Sequence, residues 1–230
     1  LGKLSAMVAH EINNPLSGIL SYAKLSSRYL LQEECNDSTI DTVVGNLSII
    51  ANEAKHCGEI VKNLLLFAKQ SQGKVREVHL NEIITLSTKI IDHSVKMKAL
   101  ELITELDSGN DNIFCDPGTI QQILVSLIVN AMESSTQGKQ IIVRTDYSNN
   151  DSIQIKVIDQ GHGIDENDLP FIFDPFFSTK ESNSSLGLGL SAVYGIVQQH
   201  SGSIQVDSLP GTGTTFTITL PREYTENSEK

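Results

Sequence analysis

Residues 7–16 place a histidine beside a carboxylate in a helix-forming run. A neutral imidazole nitrogen is a nucleophile, and a neighbouring carboxylate that polarises the other ring N–H makes it a stronger one. His10 and Glu11 are therefore candidates for a nucleophile and its activating carboxylate. A lone histidine is more often an ordinary surface residue, so the interpretation depends on the rest of the chain.

The helix that carries this pair contains an interior proline. At about 100° of rotation per residue, His10 falls opposite the middle of an apolar stripe and should face water. Asn14 shares that outward face one turn later. Pro15 has no N–H, which frees the carbonyl of Glu11 and should loosen the helix beside His10. A proline inside a helix costs about 3 kcal/mol, so its placement here by chance is disfavoured.

Two amphipathic helices account for the first third of the chain. Apolar residues step by three and four over residues 1–31, and again over residues 40–68. The polar residues 32–38 separate the two helices, and Asp37 or Ser38 suits the N-cap of the second. Two helices cannot bury both of their faces alone, so we expect a homodimer that forms a four-helix bundle.

Composition narrows the classes of partner. The chain has 230 residues, of which 39% are hydrophobic, and a formal net charge of −11. This charge repels nucleic acid and anionic membrane, so neither is expected as a partner. The apolar runs are too short for a membrane span, and the first residues lack a signal-peptide pattern. The chain begins inside a helix, which predicts that it was cut from something longer, and its three scattered cysteines favour a reducing compartment.

The remaining two-thirds of the chain mixes strand and helix patterns after a short polar linker near residues 71–74. Strands are predicted at residues 75–80, 102–106, 113–115, 140–147, 152–159, 203–208 and 214–220, and helices at residues 81–99, 117–134 and 188–200. This mixture predicts a largely antiparallel sheet with helices on one face.

Two clusters in this part have oxygen ligands of the kind that hold a nucleotide. Asn130, inside a predicted helix, offers an amide oxygen of the type that Mg²⁺ accepts beside phosphate and water. Asp159 ends a predicted strand, and its carboxylate can accept from an exocyclic amine such as adenine N6. Gly161 and Gly163 would let the base approach the backbone. The plainer alternatives are a helix-surface asparagine and an ordinary strand-ending turn.

Two further clusters could bind phosphate. Gly187 and Gly189 open a predicted helix, where unpaired N–H groups receive phosphate. Lys180, in the polar stretch before them, is a point charge suited to a terminal phosphate. A solvated loop with buried phenylalanines at residues 173–177 is the alternative. Each cluster is weak alone, but chance does not explain all of them in this order.

The ordered set of motifs resembles the cytoplasmic core of sensor histidine kinases of two-component systems, over essentially the whole chain. Residues 10–16 are similar to the H box of this family, which implies that His10 is the phosphoacceptor and Glu11 the general base. Glu11 and Asn14 also resemble the family's E-x-x-N arrangement. This implies that Asn14 orients the attacking water when the protein dephosphorylates its regulator.

The nucleotide-binding boxes of the family are matched in the same order. The matching residues are Asn130 in the N box, Asp159, Gly161 and Gly163 in the G1 box, residues 173–177 in the F box, Gly187, Leu188 and Gly189 in the G2 box, and Thr214 and Thr215 after Gly211 and Gly213 in the final glycine box. The resemblance implies that Asn130 binds Mg²⁺, that Asp159 recognises adenine and that a threonine supports the adenine site.

One position departs from the pattern. Ser126 stands four residues before Asn130, where many members have asparagine, and this removes one expected polar contact to the nucleotide. Gyrase-like and chaperone-like ATPases of the wider GHKL superfamily carry a glutamate there that activates water. Ser126 cannot act as that base, so hydrolysis of ATP to water is the poorer interpretation.

The predicted fold is a two-helix hairpin that dimerises into a four-helix bundle, residues 1–72, followed by an α/β sandwich ATP-binding domain of the GHKL type, residues 73–230. The resemblance implies a bacterial, cytoplasmic, ATP- and Mg²⁺-dependent protein histidine kinase that phosphorylates His10 and passes the phosphoryl group to an aspartate of a response-regulator receiver domain. It also implies phosphatase activity toward that regulator and a sensor domain upstream of this stretch of chain.

Two alternatives stay open, a catalytically inactive dimerisation and docking module and a GHKL-type ATPase. Cis and trans phosphorylation of His10 also both stay open, because the choice depends on the handedness of the connection at residues 32–39. The other histidines, His56, His79, His93, His162 and His200, have no ligand-like spacing and are expected at the surface.

Overall fold

The computed structural model describes residues 2–31, 36–68, 74–179 and 187–223, and it divides the chain into two compact units near residue 65. The first unit contains helix α1 (Gly2–Leu30) and nearly all of helix α2 (Asp37–Ala68). Helix α1 continues through Pro15, which is buried. The predicted boundary at residues 72 and 73 stays a prediction, because residues 69–73 lie outside the described part of the chain.

The N-terminus of α2 is capped by Asn36. Its Oδ1 accepts from Thr39 N at 2.9 Å and from the Thr39 hydroxyl at 3.0 Å. The predicted caps, Asp37 and Ser38, are therefore wrong by one and two positions, and Asp37 is the first helical residue. Asparagine, aspartate and serine cap equally well, so only the backbone geometry selects among three such residues in a row.

The two helices pack along one seam with heptad spacing. Its buried and half-buried residues are Ile12, Pro15, Ile19, Tyr22, Ser26 and Tyr29 on α1, and Val43, Asn46, Ile50, Glu53 and Cys57 on α2. Both sets step by three and four, as expected for packed helices. A Cβ built on Gly18 would lie 3.6 Å from Glu53 Cγ, which shows how the two helices are aligned.

A second apolar stripe is exposed on both helices. Its large members, with their exposed fractions, are Leu16 at 47%, Leu20 at 56%, Leu30 at 54%, Ile40 at 49%, Val44 at 55% and Leu47 at 54%. The single stripe predicted for each helix is thus divided between the hairpin seam and this exposed surface. A row of exposed leucine, isoleucine and valine side chains is typical of an interaction surface.

The second unit contains three α-helices, seven strands and a short 3-10 helix (Leu169–Phe171), which was not predicted, in the part of the chain that the structure describes. The α-helices and strands follow in chain order. They are β1 (Arg76–His79), α3 (Leu80–Met97), β2 (Glu101–Glu105), β3 (Asn112–Cys115), α4 (Pro117–Ser134), β4 (Gln140–Asp146), β5 (Ser152–Asp159), α5 (Gly189–Gln199), β6 (Ser203–Leu209) and β7 (Gly213–Pro221). Each of these elements was predicted, and its ends differ from the prediction by two residues at most.

Five strands form one sheet in the order β2-β4-β5-β7-β6, and β1 pairs separately with β3. Every neighbouring pair in the large sheet is antiparallel except β2 with β4. Alternate residues of its central strands, such as Val143, Ile155 and Phe216, are 0–1% exposed and form a core with α3, α4 and α5. The predicted class, a helix pair followed by an α/β domain, is confirmed.

The N-terminus of α3 is capped by a distant loop. His79, the preceding residue, makes no side-chain cap. Asp111, between β2 and β3, accepts from Leu80 N through its carbonyl at 3.0 Å and from Asn81 N through Oδ2 at 3.2 Å. Its Oδ1 lies 2.8 Å from His79 Nδ1, and this hydrogen bond raises the pKa of His79.

Arg222 joins two connections between strands to the end of β7 at one end of the sheet. Its Nη1 donates to the carbonyls of Asn110 at 2.7 Å and Asn112 at 3.0 Å, and its Nη2 to those of Tyr147 at 3.5 Å and Asn149 at 3.4 Å. Its guanidinium carbon also lies 5.9 Å from the centre of the Tyr147 ring. The fixed fork of N–H groups therefore holds the β2–β3 loop, the β4–β5 turn and the end of β7 together.

Replacing this arginine should destabilise the second unit. We expect Arg222→Ala to lower the free energy of unfolding by about 2 kcal/mol, because several carbonyls lose a charged donor. Arg222→Lys should recover only part of the loss, since an ammonium cannot reach all of the carbonyls from one position. Urea denaturation followed by circular dichroism measures both effects. An Arg222→Ala chain as stable as the unchanged chain would contradict this role.

Candidate functional site

Asp159 is the charged group at the centre of the candidate nucleotide site. It ends β5 on the face that packs against the helices, and it is only 4% exposed. Its Oδ1 accepts from Gly161 N at 2.8 Å and from Thr214 N at 3.3 Å. Burial raises the pKa of this carboxyl, and the two N–H donors oppose that shift. A carboxylate oriented in this way is a fixed acceptor for an amine of a ligand.

The loop after Asp159 passes too close to its neighbours for a larger side chain. A Cβ on Gly161 would lie 2.6 Å from the Ser134 carbonyl oxygen and 2.8 Å from Asp159 Oδ1. Gly163 has φ of +72°, and a Cβ there would collide with the backbone of Leu209. Both predicted glycines therefore have a structural requirement in addition to the expected approach of a base.

Thr214 and Ser208 complete the wall beside Asp159. Thr214 is 4% exposed, and its Oγ1 lies 2.9 Å from Ser208 Oγ. Ser208 Oγ also accepts from Ile164 N at 2.8 Å, so it ties the loop after Gly163 to strands β6 and β7. Sequence reasoning missed Ser208, because only the pairing of Ser208 with Thr214 across the two strands brings it to the site.

Thr215, the other predicted threonine, lies on the opposite face of the sheet. Side chains alternate between the two faces along a strand, so Thr215 points away from the side that carries Thr214. In the register of β5 and β7, Thr215 pairs with Ile158, which precedes Asp159. The structure brings Thr214 to Asp159 and does not bring Thr215 there, so Thr214 is the threonine placed to support an adenine site, and binding by Thr215 stays a prediction.

Asn130 lies on α4, one turn before Ser134. Ser134 accepts from His162 N through its carbonyl at 3.1 Å, so the end of α4 adjoins the loop after β5. The side chain of Asn130 is half-buried, and its amide makes no hydrogen bond to another residue that the structure describes. Its oxygen therefore suits a ligand or a hard metal ion.

The donor set fits Mg²⁺ bound mainly through phosphate. Across residues 2–31, 36–68, 74–179 and 187–223, no group of three or more histidine, cysteine, aspartate or glutamate side chains is placed to hold a metal ion. Mg²⁺ in nucleotide sites commonly takes one or two protein oxygens beside phosphate and water. A single amide oxygen at Asn130 is compatible with that arrangement.

The start of α5 is fastened to the turn at residues 173–177. Gly187 has φ of +63°, and a Cβ on it would lie 2.5 Å from the Phe177 carbonyl oxygen. Phe176 N donates to the Gly187 carbonyl at 3.1 Å. Leu188 is 3% exposed and packs inward, whereas a Cβ on Gly189 would meet nothing within 4 Å. The first N–H groups of α5 thus lie beside Gly189, where no neighbouring atom fills the space that a phosphate would need.

Aromatic contacts hold the same turn. The rings of Phe171 and Phe177 have their centroids 6.0 Å apart, and those of Phe173 and Tyr194 lie 5.4 Å apart. Phe173, Phe176 and Phe177 are half-buried rather than fully buried as the loop alternative expected. Tyr194 comes from α5, so this turn is packed directly onto the helix whose N-terminus faces the candidate phosphate site.

The phosphoacceptor segment is described only in part. His10 and Glu11 belong to α1, but their side chains lie outside the described part of the structure, and Lys180 lies outside it entirely. Asn14 is described and exposed, which agrees with its predicted outward face. Their roles therefore stay predictions.

His200 corrects the prediction that the remaining histidines are surface residues. It is 6% exposed, its Nδ1 lies 2.9 Å from the Ile196 carbonyl oxygen and its Nε2 lies 3.4 Å from Thr119 Oγ1. It joins the end of α5 to the start of α4, the two helices that carry Gly189 and Asn130. Spacing along the chain gives no sign of this contact, because its partners are far apart in sequence.

Among the described helices, none has both the length and the apolar character that a bilayer span requires.

Two family models match the chain. The His Kinase A (phospho-acceptor) domain matches residues 1–73, and the histidine kinase-, DNA gyrase B-, and HSP90-like ATPase matches residues 115–224. The sensor histidine kinase ZraS of Klebsiella oxytoca is 33% identical over 230 residues, which cover 100% of this chain and 48% of ZraS. The signal transduction histidine-protein kinase AtoS of Escherichia coli (strain K12) is 34% identical over 222 residues, which cover 96% of this chain and 35% of AtoS. The chain thus spans about half the length, or less, of these relatives.

The solved structure of the histidine kinase ThkA in complex with the response regulator protein TrrA is also similar. It aligns with a TM-score of 0.72 and 26% identity, over 96% of this chain and 62% of that chain. Together, the two matched domains in this order, the similarity to ZraS along the whole of this chain and the shared fold place the chain in one family: it belongs to the sensor histidine kinases of two-component systems.

Proposed function

We propose that this chain is an ATP-dependent protein histidine kinase that phosphorylates His10 and passes the phosphoryl group to an aspartate of a response-regulator receiver domain. The observation that carries the proposal is the buried carboxylate of Asp159, oriented by Gly161 N and Thr214 N beside the two helices that bear the candidate metal and phosphate ligands. That arrangement suits an adenine nucleotide.

Each part of the nucleotide has a candidate partner. Asp159 accepts from the exocyclic amine of adenine, and Thr214 supports that carboxylate from β7. The N–H groups at residues 187–189 receive phosphate oxygens, and Lys180 adds a positive charge for the terminal phosphate. Asn130 contributes its amide oxygen to Mg²⁺, which when bound neutralises charge on the phosphates. These assignments form one site in the second unit, except that Lys180 is proposed from sequence alone.

The chemical step assigned to the first unit is nucleophilic. A ring nitrogen of His10 forms a bond to the γ-phosphorus as the bond from that phosphorus to the β–γ bridging oxygen breaks, which leaves ADP. Glu11 accepts the hydrogen bond of the other ring N–H and so stabilises the positive charge that develops on the imidazole. The phosphoryl group then moves from His10 to a carboxylate oxygen of the receiver aspartate. The co-structure of the relative ThkA with TrrA supports a receiver of this kind.

The first unit is proposed to act as a homodimer in the cytoplasm, where ATP is available. The exposed stripe that includes Leu16, Leu20, Val44 and Leu47 needs an apolar partner, and a second copy of the same helix pair supplies one. The match of residues 1–73 to a phosphoacceptor domain supports the same assembly.

Two other functions are less well supported. An inactive docking module would not need Asp159 buried and ionisable beside glycines that admit no side chain. A GHKL-type ATPase would need a base for water on α4, and Ser126, half-buried where that base would lie, cannot serve. Phosphatase activity toward the regulator is compatible with the kinase, since the exposed Asn14 is available to orient a water molecule.

Labelling of the histidine tests the kinase directly. With γ-labelled ATP and Mg²⁺, we expect acid-labile label on the unchanged chain and none on His10→Gln, because the nucleophile has been removed. His93→Gln, which alters an exposed histidine of α3, is the matched control and should label normally. Omitting Mg²⁺ should reduce the label. Equal labelling of the His10→Gln and control chains would exclude His10 as the acceptor.

Asp159→Asn should separate stability from nucleotide binding. Burial raises the pKa of Asp159 in the folded state, so its contribution to stability is complete below the unfolded pKa and is lost as pH rises through the folded pKa. Asparagine keeps an acceptor for Gly161 N and Thr214 N but carries no charge. We therefore expect a higher thermal midpoint at pH 7 without nucleotide, and ATP affinity weaker by about tenfold or more.

Calorimetric titration with ATP checks the second effect. Asp151→Asn, at an exposed position in the β4–β5 turn, is the control and should bind ATP normally. In the unchanged chain, ATP affinity should weaken as pH falls through the raised pKa of Asp159, and Asp159→Asn should lack that dependence. Unaltered ATP affinity of Asp159→Asn would refute adenine recognition by this residue.

Asn14→Ala tests the phosphatase. With a phosphorylated regulator and ADP, we expect dephosphorylation to slow by about 100-fold, because the attacking water loses its orienting amide. Asn13→Ala changes the neighbouring exposed amide and should retain the rate of the unchanged chain. Release of phosphate from the regulator is measured over time. Equal rates for the two variants would rule out this role of Asn14.

A further inference from the structure

Polar side chains interrupt the hairpin seam at one level. Ser26 on α1 is 6% exposed and Asn46 on α2 is 7% exposed. Within the described residues, Ser26 Oγ and Asn46 Nδ2 are buried without a hydrogen-bond partner. A buried polar group without a partner disfavours the fold that buries it, so two apolar residues here would make a more stable hairpin.

The two residues occupy facing positions. The contact of Gly18 with Glu53 aligns the antiparallel helices, since a Cβ on Gly18 would lie 3.6 Å from Glu53 Cγ. Counting forward from Gly18 to Ser26 and backward from Glu53 to Asn46 covers nearly equal lengths, because each helical residue rises by about 1.5 Å. Ser26 and Asn46 therefore lie at the same level, between layers that contain Tyr22 with Ile50 and Tyr29 with Val43.

We infer that Ser26 and Asn46 form a polar layer that selects the alignment of α1 against α2 and lowers the stability of the bundle. A hairpin displaced by one heptad would place Asn46 opposite Ile19, where an amide has no polar neighbour. The observed alignment is the one that puts the amide and the hydroxyl opposite each other. A single buried asparagine is known to fix helix register in this way while reducing stability.

The exposed stripe does not select one alignment of the helices. It is formed by leucine, isoleucine and valine side chains, which pack against one another in several alignments. In the dimeric bundle proposed above, on which this inference rests, the polar layer would contain two serines and two asparagines. Those four side chains can pair with one another only when all four helices are in register.

Asn46→Leu in the complete chain tests the layer. We expect its thermal midpoint to rise by about 3 °C or more, because an apolar side chain replaces a polar amide that is buried in the seam. Asn52→Leu makes the same change on the solvent-exposed face of α2 and should leave the midpoint near that of the unchanged chain. Ser26→Ala, which removes the facing hydroxyl, should also raise the midpoint.

Disulfide cross-linking measures the alignment of α1 against α2. The test uses a chain in which Cys35, Cys57 and Cys115 are replaced by serine. Gly18→Cys with Glu53→Cys should cross-link in the observed alignment, and Leu25→Cys with Thr39→Cys reports the displacement of one heptad that brings Asn46 opposite Ile19. We expect Asn46→Leu to increase the yield of the displaced cross-link several-fold, and Asn52→Leu to leave it unchanged.

Two results would overturn the inference. One is an Asn46→Leu chain that is less stable or unfolded, since Asn46 would then make a favourable contact. The other is a displaced cross-link that stays at the level of the Asn52→Leu control. Light scattering gives the molar mass of the unchanged chain and so tests the proposed dimer separately from the polar layer. A monomeric mass would refute the dimer. Labelling of His10 tests the kinase independently of both.

Discussion

The buried carboxylate of Asp159 is the constraint on which the nucleotide site depends. A carboxylate that is 4% exposed is unfavourable unless N–H groups surround it, and its Oδ1 receives them from Gly161 and Thr214. These donors belong to the loop after β5 and to the start of β7, so both segments must meet at the end of β5. Gly161 is needed where they meet, because a Cβ would lie 2.6 Å from the Ser134 carbonyl oxygen at the end of α4. The sheet register, the loop after β5 and the end of α4 therefore all depend on this one buried carboxyl group.

The two units of the chain satisfy different physical requirements. The sheet unit buries a continuous core, from Ile84 on α3 to Ile218 on β7, and holds its site residues in fixed positions. The helical unit leaves an apolar stripe exposed and buries the polar side chains of Ser26 and Asn46 in its seam. Both features lower the stability of a single helix pair. A rigid pocket suits recognition of a nucleotide, whereas a helix pair with an exposed apolar stripe suits the proposed assembly with a second copy.

Local patterns were sufficient to predict the helices and strands. The periods of two and 3.6 residues, together with Asp116 and Pro117 at the start of α4, mark elements whose ends the structure moves by two residues at most. The same patterns did not predict which apolar residues of a helix are buried, because burial depends on the elements that pack against it. One apolar stripe was predicted along α2, and within the helix pair Val43 is buried while Ile40 and Leu47 are half exposed, because α1 covers only part of that stripe.

The sequence by itself determined the type and order of the elements, the family and the candidate residues Asp159, Gly161, Gly163 and Gly187, because each depends on residues close together in the chain. Tertiary structure decided which side chains meet. It selected Thr214 over Thr215, brought Ser208 to the site, buried His200 between two helices and placed Asp111 at the start of α3. These contacts join residues that are far apart in the chain, and strand register and helix packing, which no local period encodes, set which of them face each other.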